Sequence, residues 1–117
     1  MTRGEVWWME HPAAGRRPAC ILTRAEAVPV LRRVVVAPAT TRIRHVPSEV
    51  YLSTEDGMPR PCALSLDNLR TVPKAILTER ITTLDTATMV ALCRSLELAT
   101  GCGPDRRLSR AARQLRR

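Results

Sequence analysis

At 117 residues the chain has the size of one domain, long enough to bury roughly two-thirds of the surface it exposes when unfolded, so no disulfide or metal is needed to hold a core. No stretch reaches the roughly 20 apolar residues of a membrane span, and the first residues lack the apolar centre of a signal peptide; a cytoplasmic protein with no membrane partner is expected. The formal net charge of +8 is unevenly spread: residues 1–103 carry 13 basic and 10 acidic groups, a net +3, and residues 104–117 carry 6 Arg and 1 Asp, a net +5. Such an excess favours a polyanionic partner such as nucleic acid, although an acidic protein is drawn by the same field.

In chain order, Gly4-Glu5-Val6-Trp7-Trp8-Met9 reads as a first strand, and residues 10–16, with Pro12 and Gly15, as the loop after it. Arg16-Arg17-Pro18-Ala19-Cys20-Ile21-Leu22-Thr23 and, after one helical turn over residues 24–28 stopped by Pro29, residues 32–39 are apolar runs of the kind found in strands buried on both faces. Function then belongs at their ends. If the two runs lie side by side, the guanidinium at the start of the first comes close to the hydroxyl at the end of the second, a pairing suited to phosphate. Residues 40–47 form a polar loop with Arg42, Arg44 and His45. Glu49 to Ser53 alternates, turns at Glu55-Asp56-Gly57 and returns through Cys62 to Leu66 as a hairpin.

Residues 67–72 continue the sheet or make a tight turn before Pro73, and short apolar pieces follow at 75–77 and 80–82. From Asp85, an N-cap residue, Met89, Leu92, Cys93 and Leu96 recur at helical spacing until Gly101 and Gly103. Residues 1–103 make up the domain, mainly β with a C-terminal helix. Residues 104–117 form a basic amphipathic tail, with Leu108, Ala111, Ala112 and Leu115 on one stripe, expected to order on binding RNA or an acidic partner. Cys20, Cys62, Cys93 and Cys102 fall singly and read as reduced thiols. His11 and His45 have no companions at ligand spacing, so neither a zinc site nor a Cys/His nucleophile is indicated.

Four blocks, Gly4-Glu5-Val6-Trp7-Trp8, Arg17-Pro18-Ala19-Cys20-Ile21-Leu22-Thr23, Val34-Val35-Val36-Ala37-Pro38-Ala39-Thr40-Thr41 and Leu66-Asp67-Asn68-Leu69-Arg70-Thr71-Val72-Pro73-Lys74, resemble in order and spacing the MazF/PemK (Kid-like) toxins of type II toxin–antitoxin systems. The resemblance runs from residue 3 to about residue 100. It implies an SH3-like small barrel of the MazF/CcdB type, usually a homodimer, a cognate MazE-like antitoxin, no cofactor, and an endoribonuclease with Arg17 and Thr40 as its main catalytic pair. The segment before Arg17 is shorter than is common in the family. Asp67 matches an Asp proposed to help proton transfer, although Ser65 stands where the family has Arg, and Asn68 stands where it often has Gln.

The residues fit that chemistry. RNA is cut without a metal when its 2′-hydroxyl attacks the adjacent phosphorus, leaving a 2′,3′-cyclic phosphate and a 5′-hydroxyl. Arg17 offers a planar, permanently charged fork matched to phosphoryl oxygens, and the Thr40 hydroxyl offers a donor. Arg16, Thr41, Arg42, Arg44, His45 and Asn68 are candidates for binding single-stranded RNA, and either Trp7 or Trp8 for stacking on a base, since neighbours on a strand face opposite sides. Each also has an ordinary reading: a surface Arg before Pro, a turn Thr bonding its own backbone, a solvated loop. Two rivals remain at this stage, a CcdB-like toxin that binds and poisons DNA gyrase without an active site, and a basic binding domain that has lost catalysis.

Overall fold

The computed structural model describes residues 1–13 and 15–103; the basic tail lies outside the described residues. Seven strands, β1 (Glu5–His11), β2 (Gly15–Ile21), β3 (Arg33–Thr40), β4 (Glu49–Leu52), β5 (Cys62–Ser65), β6 (Arg70–Pro73) and β7 (Leu77–Thr83), are followed by one helix, α1 (Thr86–Thr100). The strands run in the order β4-β5-β3-β2-β1-β7, with β6 also paired to β3, and the pairings described are antiparallel. This is the mainly antiparallel β-sheet with one C-terminal helix that the pattern of short strands predicts.

The unbroken apolar runs have a plain cause. Side chains alternate along a strand, and here both faces of the sheet are covered. Ala19 and Ile21 of β2 and Val34 and Val36 of β3 pack into one buried cluster with Met9, Val28, Val72 and Leu77. Cys20, Ala37 and Ala39, from the same strands, point into the other cluster with Val6, Leu52, Leu64, Leu66 and Leu92. Only the second half of β2 is buried in this way; Gly15, Arg16 and Arg17 are exposed, so the arginines stand where the core ends.

Helix α1 closes the second cluster. Its start is capped by the Asp85 side chain, which accepts from the Thr88 N–H at 2.7 Å, and its end by Gly101 in the left-handed conformation (φ 70°). Leu92 is fully buried, with Met89 and Leu96 beside it.

Two local readings are corrected. The loop expected over residues 10–16 is shorter than that, because β1 and β2 stay paired out to His11 opposite Gly15. Glu10 faces Arg16 in that register and the two form an ion pair at 3.6 Å, a cross-strand contact that carries the hairpin further. The helical turn expected over residues 24–28 forms, Val28 N–H donating to Arg24 O at 3.3 Å, but Pro29 does not stop the run: Val30 N–H and Leu31 N–H both donate to Ala27 O at 3.0 Å. Pro73 ends β6 as its place before the next apolar pieces predicts, opposite Arg33 at the margin of β3, where a missing N–H is harmless.

Candidate active site

The site begins where β2 and β3 part. Their ladder pairs Ile21 with Val36, Cys20 with Ala37 and Ala19 with Pro38, then stops. Pro18, next along β2, has no N–H to continue it. Beyond that point Ala39 and Thr40 pair instead with Leu64 and Ala63 of β5 on the other edge of β3. Continuing the β2–β3 register two places past Ala19 and Pro38 sets Arg17 against Thr40. One residue therefore stands on each lip of a split in the sheet.

Two grooves open from this split, and both are lined by Arg17, Ala39 and Thr40. The first, of about 310 Å³, is completed by Trp8, Arg16, Pro18, Thr41, Met58, Pro59, Arg60 and Cys62. The second, of about 380 Å³, is completed by Pro38, Arg42, Arg44, Val46, Glu49, Ser65, Asp67, Asn68 and Arg70. Both volumes are at the lower end of the roughly 300–1,000 Å³ usual for small-ligand clefts.

Of the residues singled out in the sequence, the structure brings Arg17, Thr40, Asp67, Arg42, Arg44 and Asn68 together in the second groove, and places Arg16 and Thr41 in the first. His45 lines neither groove; it adopts a positive φ of 55° in the loop between β3 and β4. Trp7 and Trp8 divide as adjacent strand residues must. Trp7 packs against the core and its Nε1 donates to Glu5 at 3.1 Å, whereas the Trp8 ring lines the first groove.

Thr40 also makes the ordinary contact expected of a turn threonine: its Oγ1 accepts from the Arg42 N–H at 3.1 Å. Accepting uses a lone pair and leaves the hydroxyl proton free to donate, so the turn bond orients the group without using up its donor. Asp67 lies in the short 3₁₀ turn Leu66–Asn68 that carries the chain from β5 to β6 along β3, and it accepts from the Ser48 hydroxyl. Asn68 Nδ2 donates to Ser65 Oγ at 2.8 Å, and Glu49 accepts from the Arg44 N–H at 2.9 Å.

Six arginines line the two grooves against two carboxylates, Glu49 and Asp67. Among the described residues, Arg16 alone of the six is ion-paired, to Glu10 at 3.6 Å and Glu79 at 3.2 Å. Among the described residues, Arg17, Arg42, Arg44, Arg60 and Arg70 have no carboxylate within ion-pair distance. Unneutralised guanidinium groups converging on a cleft make an anion site.

Arg60 and Arg70 are the residues sequence reasoning passed over. Faint signals existed for both: Arg60 is bracketed by Pro59 and Pro61, and Arg70 starts a strand as Arg17 nearly does. Cys62 lines the first groove, but burial, followed by the nearby Asp56 charge, pushes its thiol up and away from the reactive thiolate; burial likewise takes Cys20 up to about 12.

The family model described as the PemK-like, MazF-like toxin of type II toxin–antitoxin systems matches residues 2–100. The chain belongs to the MazF/PemK toxin family. It is 46% identical over 101 residues to the "Probable endoribonuclease MazF5" of Mycobacterium tuberculosis, an alignment covering 86% of this chain and 93% of that one. Among solved structures, the Mycobacterium tuberculosis toxin MazF-mt6 superposes with a TM-score of 0.77 at 31% identity, covering 83% of this chain and 96% of that one. An endoribonuclease from a mycobacterial species, solved in complex with its cognate antitoxin, superposes with a TM-score of 0.81 at 24% identity, covering 90% of this chain and 99% of that one, which speaks to the shared fold.

Proposed function

We propose that this MazF/PemK-family toxin is a sequence-selective endoribonuclease that cuts single-stranded RNA by attack of the 2′-hydroxyl on the adjacent phosphorus, and that a cognate antitoxin neutralises it. The observation that carries the reading is the placing of Arg17 and Thr40 on facing lips of the split between β2 and β3, shared by both grooves. A phosphodiester seated there has the Arg17 fork and the Thr40 hydroxyl on its non-bridging oxygens, while its two flanking nucleotides run into separate grooves.

In the reaction a bond forms between the 2′-oxygen and phosphorus, and the bond from phosphorus to the 5′-oxygen breaks. Negative charge grows on the non-bridging oxygens, and a fixed fork stabilises that state more than the ground state. Asp67, a carboxylate in the groove it shares with Arg17 and Thr40, is assigned to the proton that leaves the 2′-hydroxyl, and the departing 5′-oxygen takes a proton from water to end as a hydroxyl. Single strands are required because the 2′-hydroxyl must swing in line with the leaving oxygen and the bases must be unstacked to be read.

Incubation of RNA with the protein in the presence of EDTA tests this directly. Fragments with 2′,3′-cyclic phosphate and 5′-hydroxyl ends are expected, and a DNA copy is expected to stay whole. A 5′-phosphate product, or cutting where the 2′-hydroxyl has been removed, would falsify the mechanism. The homodimer that family resemblance implies is part of the same reading, and light scattering at assay concentration checks it.

A further inference from the structure

The two grooves differ in chemistry in a way that bears on which RNA is cut. The second mixes donors with acceptors: Arg42, Arg44 and Arg70 beside Asp67, Glu49 and Asn68. Among the described residues no carboxylate lines the first, and its lining includes the apolar side chains of Trp8, Met58 and Pro59. Of its three arginines, Arg17 belongs to the phosphate. Arg16 is engaged: its guanidinium lies over the Trp8 ring at 4.3 Å, held by Glu10 and Glu79. Arg60 is left, exposed and with no ion-pair partner among the described residues.

Arg60 is also carried on a firm backbone. The 3₁₀ turn Thr54–Asp56 before it is capped reciprocally, Ser53 N–H donating to Asp56 Oδ2 at 2.8 Å and Glu55 N–H to Ser53 Oγ at 3.2 Å. Gly57, at a φ of 93°, has no room for a side chain, because a Cβ would run into the Thr82 hydroxyl, and that hydroxyl donates to Asp56 O at 2.9 Å. Met58 is buried beneath the segment, and prolines stand on both sides of Arg60. A long side chain on such a base spends less entropy when it makes a directed contact.

We infer that the first groove seats one nucleobase next to the cut and that Arg60 selects guanine there, an inference that rests on the reading of the protein as an RNA-cutting enzyme. A base entering the groove lies on Met58 and Pro59 and against the paired Arg16 and Trp8, a surface that accepts any aromatic face. Selection comes from the edge. A guanidinium presents donors only, and on the edge that carries O6 and N7 guanine offers two adjacent acceptors; on the corresponding edge adenine and cytosine place an amino donor, and uracil offers O4 alone.

The test is cutting of a randomised single-stranded RNA, with both ends of every product sequenced, for the wild type and for Arg60→Gln and Arg60→Lys. The wild type is expected to favour guanine over adenine and cytosine by about tenfold at one of the two nucleotides flanking the cut, the order of discrimination a bidentate Arg contact supplies. Arg60→Gln should lose that preference with preferences elsewhere and the melting temperature unchanged, and Arg60→Lys should keep only part of it. A role for Arg60 in folding alone would leave base preference where it was. Wild-type cutting with no guanine preference at either flanking nucleotide overturns the assignment, as does an Arg60→Gln protein that retains it. If the wild type cuts no RNA at all, the nuclease reading falls and this assignment with it; the two failures are thus told apart.

Discussion

Two charged clusters on this small sheet are built in opposite ways. Around Glu5, at the start of β1, every charge is answered: the carboxylate, 6% exposed, accepts from the Thr2 N–H at 2.7 Å and from Trp7 Nε1 at 3.1 Å, and pairs with Arg80 at 3.3 Å and with the terminal ammonium at 3.6 Å. At the split between β2 and β3 the charges are left open, with five guanidinium groups and, among the described residues, no carboxylate within ion-pair distance of them. The first arrangement holds strands together. The second leaves an unmet demand for anions. Burial penalises the Glu5 charge, but the donors around it outweigh that cost and hold its carboxyl below the usual range.

If the contrast is real, substitutions in the two clusters should fail in opposite ways. The largest effect is expected of Arg17→Ala, which should lower the single-turnover cleavage rate by about 10²–10³-fold, the usual loss when one transition-state donor is removed, while the melting temperature hardly moves. Lys should rescue poorly because an ammonium cannot form the fork. Near wild-type cutting by Arg17→Ala would end the assignment. Thr40→Val should cost less, and should lower kcat more than it raises KM if the hydroxyl acts mainly in the transition state.

Glu5→Ala should show the reverse pattern. Removing the acceptor leaves partly buried donors unanswered at a cost of about 1–3 kcal/mol, visible as a lower melting temperature, with cleavage well below that temperature preserved. Loss of cutting in a folded Glu5→Ala protein would dissolve the distinction between the clusters. Smaller still, Arg42→Ala, Arg44→Ala and Arg70→Ala should each weaken RNA binding and reduce the log–log salt slope by about 0.7 if each meets one phosphate of a single strand.

The smallest effect is in pH. Glu5 and Asp85 both have carboxyl groups held low, Asp85 by the backbone and side-chain hydrogen bonds of Thr88. The stability they add is fully present above the ordinary carboxylate range and is lost as pH falls through their lower folded values. Thermal melts should therefore drop below about pH 4, and Glu5→Gln should make that drop shallower.

What could be read along the chain follows from where each signal lies. Asp85, the Met89-Leu92-Leu96 spacing and Gly101 define α1 without reference to anything distant, because capping and helical periodicity are local. The strands around Cys20 and Val35 were legible for a related reason: a run apolar on both faces has to lie inside a covered sheet. The loop between β1 and β2 was misjudged because Pro12 and Gly15 speak for a turn, while the Glu10–Arg16 pairing that shortens it forms only once the strands meet. Arg60 and Arg70 were missed because an exposed arginine looks the same whether it faces a cleft or open water.

The chain's own pattern therefore settled which segments are strands, where the helix starts and stops, and, through four spaced blocks, the family and its candidate pair, Arg17 and Thr40. Only the folded sheet decided that these two stand on opposite lips of one split, since that depends on the β2–β3 register and on β3 changing partner from β2 to β5 past Pro38. Register is a relation between residues far apart in sequence. No local propensity encodes it, and it is chosen by which pairing buries Ile21 and Val36 in one cluster while Cys20, Ala37 and Leu64 fill the other.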